Sequence, residues 1–153
     1  MTGPARPLVP ADFVVPAGLR AELFVLEPLD LKHNESDYAA WTSSIEHIKA
    51  TPGFGGRTWL DLDLSLADNA ADIGTHVTQF ADRTRFAYTV LDPATAEVIG
   101  CLYIGATVRD GYDADVRSWV RADRAHLDKP LHDAVSRWLS RVWPFRQPDY
   151  AAR

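Results

Sequence analysis

The chain has 153 residues, 46% of them apolar and 24% charged, with a formal net charge of −5. That size and balance fit one globular domain, the acidity gives no long-range pull toward nucleic acid, and no run of about 18 apolar residues exists to cross a membrane. Cys101 is the only cysteine, which excludes an internal disulfide framework and a cysteine-based zinc site. His33, His47, His76, His126 and His132 are scattered, with no pair at helical spacing, so no metal is expected. The first ten residues lack the apolar stretch of a secretory signal. The expectation is a cytoplasmic protein.

Four prolines in the first sixteen residues predict an extended arm over residues 1–20, followed by a single domain over 21–153. Ala21 to Leu29 is short, apolar and closed by Pro28, the pattern of a first strand. Asn34 or Ser36 then caps a helix in which Tyr38, Trp41, Ile45 and Ile48 share one face, up to Thr51-Pro52-Gly53. Ser65 and Asp68 have capping-box spacing, and Leu66, Ala70, Ile73, Val77 and Phe80 mark a second helix to about Asp82. Its other face, with Asp68, Asp72, His76, Gln79 and Arg83, reads as a wet surface.

The period then changes from helical to alternating. Phe86–Leu91 and Val98–Ile104 form a hairpin across residues 92–97. A further strand from Asp113 to Arg121 places Ala114, Val116, Ser118 and Val120 on one face and Asp113, Asp115, Arg117, Trp119 and Arg121 on the other. A polar turn leads into an amphipathic helix from about Leu127 to Trp143, with Asp133 and Arg137 at ion-pair spacing. Pro144 ends it, and the tail has room for one more strand. The order β-α-α-β-β-β-α with a final β predicts an α+β domain: a mixed, mainly antiparallel sheet, two helices on one face and the last helix on the other.

From Ala21 to Phe145 this order resembles the GNAT superfamily of acetyl-coenzyme A-dependent N-acetyltransferases. The resemblance rests on the element order, on Val98-Ile99-Gly100 in the hairpin strand, and on the strand that runs straight into the long helix. It implies acetyl-CoA as acyl donor and a small-molecule amine as acceptor. It further implies that the backbone of Trp119 and Val120 meets the pantetheine arm, and that the turn with Arg121, Arg124, Ala125 and His126, together with Lys129, meets the pyrophosphate. Asp115, with Asp113 next, is the implied base, and the aromatics Trp41, Phe54 and Trp59 fall where the family places its acceptor.

The chain departs from the family pattern in that turn. Glycines let backbone amides approach an anion at a helix N-terminus, and residues 121–130 contain none. Asp123 and Asp128 oppose a pyrophosphate, and Pro130 lacks a donor. The alternative expectation is a catalytically inactive module of the same fold that binds a small ligand or protein partner as a homodimer through an open sheet edge. One more spacing stands out. Asp61 to Asp72 has oxygens at calcium-loop positions, but Leu66 stands where the loop needs glycine.

Overall fold

The structure is a computed structural model that describes residues 6–56, 59–61 and 63–153. Six strands form one sheet in sequence order: β1 (Leu19–Arg20), β2 (Val25–Pro28), β3 (Arg85–Leu91), β4 (Val98–Gly105), β5 (Ala114–Val120) and β6 (Pro148–Tyr150). Every neighbouring pair is antiparallel except β5 and β6, which run parallel. The fold is thus the mixed, mainly antiparallel α+β arrangement that the sequence predicts. No helix among the described residues is long and apolar enough to cross a membrane.

Alternation along the strands divides the interior into two cores. Phe86, Tyr88 and Val90 of β3 face one side with Val116 and Val120 of β5, beneath α4 (Asp128–Arg141) and its Leu131, Val135 and Trp138. Ala87, Cys101 and Trp119 face the other side, beneath α1 (Asn34–Thr42), α2 (Ile45–Ala50) and α3 (Leu66–Ala81), which contribute Trp41, Ile48 and Ile73. The α3 start is the predicted capping box: the Asp68 N–H donates to Ser65 Oγ at 3.1 Å, and the Ser65 N–H donates to Asp68 Oδ2 at 2.9 Å. Such a box satisfies backbone donors that the first turn of a helix leaves unpaired.

Three elements differ from their sequence expectation. The strand expected over 21–29 is a tight hairpin: the Ala21 N–H donates to the Phe24 carbonyl, and β1 folds back on β2. The helix expected from 34 to 50 breaks at Ser43 and Ser44. Ser43 Oγ donates to the Ala40 carbonyl, and Ser44 Oγ accepts from the Ala122 N–H at 2.9 Å, so both hydroxyls have partners outside a regular helix. Asp133 pairs with Lys129 at 3.1 Å, one turn before it, rather than with Arg137.

Among the described residues of the proline-rich segment, the Phe13 N–H closes a turn on the Pro10 carbonyl at 3.0 Å, and Leu8, Val9, Phe13 and Val15 pack against the α4-side core. Val9 is buried, and Phe13 packs on Trp143 with ring centroids 5.2 Å apart. Arg83 Nη2 donates to the carbonyls of Pro10 and Phe13, and Tyr88 Oη donates to that of Pro16.

One irregularity shapes the sheet near its centre. Val90 pairs with Gly100 but Leu91 with Val98, which leaves Ile99 as the extra residue of a β-bulge. A Cβ at Gly100 would meet the Trp119 carbonyl at 2.3 Å, so only glycine lets β4 and β5 approach this closely.

Candidate active site

Two neighbouring features carry polar groups that the fold itself does not require. The first is a cleft of about 640 Å³ between the α1–α3 face and the sheet. Trp41, Phe54 and Trp59 line it with aromatic surface, the Trp41 and Trp59 rings meeting edge-on at 5.5 Å. Tyr103 lines it too; its Oη accepts from Trp119 Nε1 at 3.1 Å, and burial holds its phenol well above the usual range.

Asp37 is the unusual group in this cleft. It lies on α1 one turn before Trp41 and is only 6% exposed. Its Oδ2 accepts from Asn69 Nδ2 at 3.1 Å, and Asn69 in turn accepts from Trp41 Nε1 at 3.0 Å. Burial raises the Asp37 pKa, an effect that the Asn69 amide and His76 oppose without reversing. His76 lies 3.6 Å from Asp72, and this contact lowers the Asp72 pKa against the opposing effect of burial. The other ring nitrogen, His76 Nδ1, is buried with no partner. Arg85 projects from the first residue of β3, its guanidinium 5.4 Å from the centre of the Tyr103 ring.

The second feature is the β5–β6 divergence, the point at which ladder pairing between the two strands stops. They pair only from Ala114↔Pro148 to Val116↔Tyr150, and β5 continues to Val120 without its parallel neighbour. The Arg121 N–H donates to the Ile99 carbonyl, so ladder alternation turns the backbone groups of Ser118 and Val120 toward the open edge. The Ser118 carbonyl there accepts from Arg153 Nη2 at 2.8 Å. The Arg153 side chain is 4% exposed, and its Nε donates to Asp128 Oδ2 at 2.7 Å at the start of α4. The side chain of Arg153 thus spans from the free edge of β5 to the N-terminus of the long helix. Tyr150 Oη and Ser118 Oγ share a hydrogen bond beside it, and burial pushes the Tyr150 phenol up to about 12.

The turn entering α4 is a 3-10 segment, Ala122–Leu127. Three cations in and beside it have carboxylate partners: Arg121 with Asp123 at 2.8 Å, Arg124 with Asp92 at 3.3 Å, and Lys129 with Asp133. Ala125 and His126 lie within the segment and are exposed.

The structure divides the sequence candidates between these features. Trp41, Phe54 and Trp59 all line the cleft. Val120, Arg121, Arg124, Ala125, His126 and Lys129 follow the divergence into α4. Trp119 adjoins them in sequence, but its backbone belongs to the β4 ladder opposite Cys101 and its indole to the core under α1–α3. Asp115 binds Arg117, with Oδ2 accepting from Nε at 2.9 Å and Oδ1 from Nη2 at 3.3 Å. Asp113 accepts from the N–H groups of Arg146 and Gln147 and so fastens the segment before β6.

Asp37, Asn69, Arg85, Tyr103 and Arg153 were not singled out by sequence. The helical face read as wet supplies Asp68, Asp72, His76 and Gln79 to the cleft, while Arg83 holds the N-terminal arm. The available signal was Asp37 four residues before Trp41, a carboxylate beside the apolar stripe. Within the calcium-spaced segment, Ser65 and Asp68 serve the cap, and Leu62 and the Asp61 side chain lie outside the described residues. No group of three or more His, Cys, Asp or Glu among the described residues is arranged to hold a metal.

No protein-family model matches the chain, and no curated protein matches it. Solved structures do. The microcin C7 self-immunity acetyltransferase MccE, in complex with acetyl-CoA and AMP, superposes with a TM-score of 0.63 at 14% identity, over 82% of this chain and 66% of that one. The ribosomal-protein-S5-alanine acetyltransferase of Vibrio fischeri gives 0.61 at 10% identity, over 81% and 67%. A protein of Bordetella pertussis described as a GnaT-family acetyltransferase gives 0.55 at 19% identity, over 82% and 71%. The chain has the fold of the GNAT acetyltransferases. It spans about two thirds of the length of these structures.

Proposed function

We propose that this chain is an acyl-CoA-dependent N-acyltransferase that acetylates an amine held in the cleft. One observation carries the reading: β5 and β6, a parallel pair, diverge beside a cleft with a buried carboxylate. Arg117 of β5 lines that cleft, and the next residue, Ser118, turns its carbonyl to the divergence.

The residues fit an acyl-CoA through side chains more than through backbone. The free edge at Ser118 and Val120 offers backbone groups to an extended pantetheine arm. Arg121, Arg124 and Lys129 offer cations to a pyrophosphate. The acids Asp123 and Asp133 are exposed and their pairs solvent-screened, and Arg124–Asp92 is the less open pair. Screened pairs of this kind are weak, so exchanging such a carboxylate for a phosphate costs little. Arg153 has to leave the Ser118 carbonyl for the arm to lie there. Bound in this slot, acetyl-CoA supplies an activated acyl carbonyl. The acceptor must be a neutral amine before its lone pair can attack, and Asp37, with its raised pKa, is the best-placed proton acceptor. Asp115 is the second choice, since both of its oxygens are engaged by Arg117.

Calorimetry with acetyl-CoA on the wild type and on Arg153→Ala tests the donor side, and thiol release with a panel of amines tests turnover. The wild type should bind, and Arg153→Ala should bind roughly tenfold tighter, because the arginine occupies the competent edge. No heat from either protein at near-millimolar acetyl-CoA overturns the proposal.

A second reading has its own support. Asp128 and Arg153 fill the slot with the protein's own groups, as in a non-catalytic module that binds a small ligand or a partner as a homodimer. Heat with amines but none with acetyl-CoA, and a dimer by light scattering, would favour it.

A further inference from the structure

Arg85 is a cleft cation that no carboxylate grips, although its charge helps to lower the Asp72 pKa. Its Nε is buried with no hydrogen-bond partner, and no carboxylate among the described residues lies within ion-pair distance of its guanidinium. Arg117, the other arginine of the cleft, is held by Asp115 and by the Gly53 carbonyl. Arginine is the side chain best shaped to bind a carboxylate through two parallel bonds. A buried polar group without a partner in a native fold calls for a ligand or another explanation.

The rest of the cleft defines the other end of that ligand. Asp37 is a buried carboxylate with a single amide donor, and Asp72 adds negative charge on the α3 side. Trp41, Trp59 and Phe54 add apolar rings to the lining of the same cleft. An ammonium placed against Asp37 stabilises its charged form, offsetting the desolvation that raises its pKa.

We infer that the acceptor is an α-amino acid with an apolar or aromatic side chain: Arg85 binds its carboxylate, Asp37 faces its amino group, and the indoles of Trp41 and Trp59 hold its side chain. This rests on the acyl-transfer reading for the fate of the amine, but the recognition itself is independent of any thioester.

The test therefore measures binding without acetyl-CoA, by calorimetry and by the fluorescence of the cleft tryptophans. The probes are L-phenylalanine, phenethylamine (the same body without the carboxylate) and 3-phenylpropionate (without the amine). L-phenylalanine should bind at least about tenfold tighter than either fragment, as expected for losing one charge-assisted contact. Arg85→Gln should bring L-phenylalanine down to the phenethylamine level and leave phenethylamine unchanged. Arg85→Lys should recover part of the loss. Asp37→Asn should erase the advantage of L-phenylalanine over 3-phenylpropionate.

Equal binding of L-phenylalanine and phenethylamine to the wild type overturns the inference, whether or not the variants fold. So does an equal loss of both ligands in Arg85→Gln, or no binding of any probe at about 10 mM, a concentration that corresponds to less than 3 kcal/mol of affinity. Carboxylate-dependent binding without thiol release sinks the acyl-transfer proposal alone. Transfer to amines regardless of a carboxylate sinks this inference alone.

Discussion

The cleft and the slot at the β5–β6 divergence lie on one sheet and treat their charges in opposite ways. In the slot nearly every charge meets an internal partner: Arg153 with Asp128, Arg121 with Asp123, Arg124 with Asp92. In the cleft, among the described residues, Asp37 has one amide donor, Arg85 has no carboxylate within ion-pair distance, and His76 Nδ1 has no hydrogen-bond partner. A saturated site contributes to folding and resists a ligand until something gives way. An unsaturated site weakens the fold and awaits a ligand. The difference teaches that the two half-sites should respond with opposite signs to the removal of a carboxylate.

The largest expected effect is on the saturated side. Arg153→Ala strands the Asp128 carboxylate, whose Oδ1 is already buried without a partner, and should cost about 3 kcal/mol of stability by chemical denaturation. Asp128→Asn should cost somewhat less, and the double variant less than the sum of the two, since the residues share one interaction. Additive losses would mean that the pair does not act as a unit.

The next effect has the opposite sign. Asp37→Asn should leave the fold equally stable or more stable by about 1 kcal/mol at neutral pH, as residues kept for function often lower stability. The pH dependence sharpens the point. The Asp37 pKa is raised above its ordinary value of 3.8, so its protonated form is favoured in the folded state. Its contribution to stability is complete below that ordinary value and is lost as pH rises through the elevated folded value. The stability of the wild type relative to Asp37→Asn should therefore fall across this window and level off above it. A flat difference between the two thermal-melt series would remove the desolvated carboxylate from the account.

The smallest effect concerns the rim of the slot. Arg121→Gln breaks a pair whose acid is largely exposed, and should change stability by less than about 1 kcal/mol. It should nevertheless weaken acetyl-CoA binding several-fold through the loss of one phosphate contact. If stability falls and affinity does not, Arg121 is structural.

Much of the architecture was legible because local chemistry and tertiary packing agree there. The Ser65–Asp68 box, the α3 stripe, the hairpin and the strand leading to α4 are each set by short-range patterns. The break between α1 and α2 was not legible, because Ser44 finds its partner at Ala122, far along the chain. The site was harder still. Trp41, Phe54 and Trp59 drew notice as aromatics, but Asp37 and Arg85 look like ordinary surface charges until the fold encloses them. Arg153 gave no signal, since only the β5–β6 divergence provides what it binds.

The sheet topology also orders the assembly of this molecule in time. Strands β3, β4 and β5 are joined through residues 92–97 and 106–113, short loops that cost little entropy to close. Strands β2 and β6 instead reach this meander across residues 29–84 and 121–147, and such distant pairings are slow to form. The first of these spans supplies most of the cleft lining, including Asp37 and Trp41. The second carries Asp128 of the slot and must be crossed before Tyr150 and Arg153 can join it. A nucleus around Tyr88 and Leu102 would thus leave both sites to be completed late. Substitutions at Asp37 or Arg153 should accordingly change the unfolding rate and leave the folding rate nearly untouched.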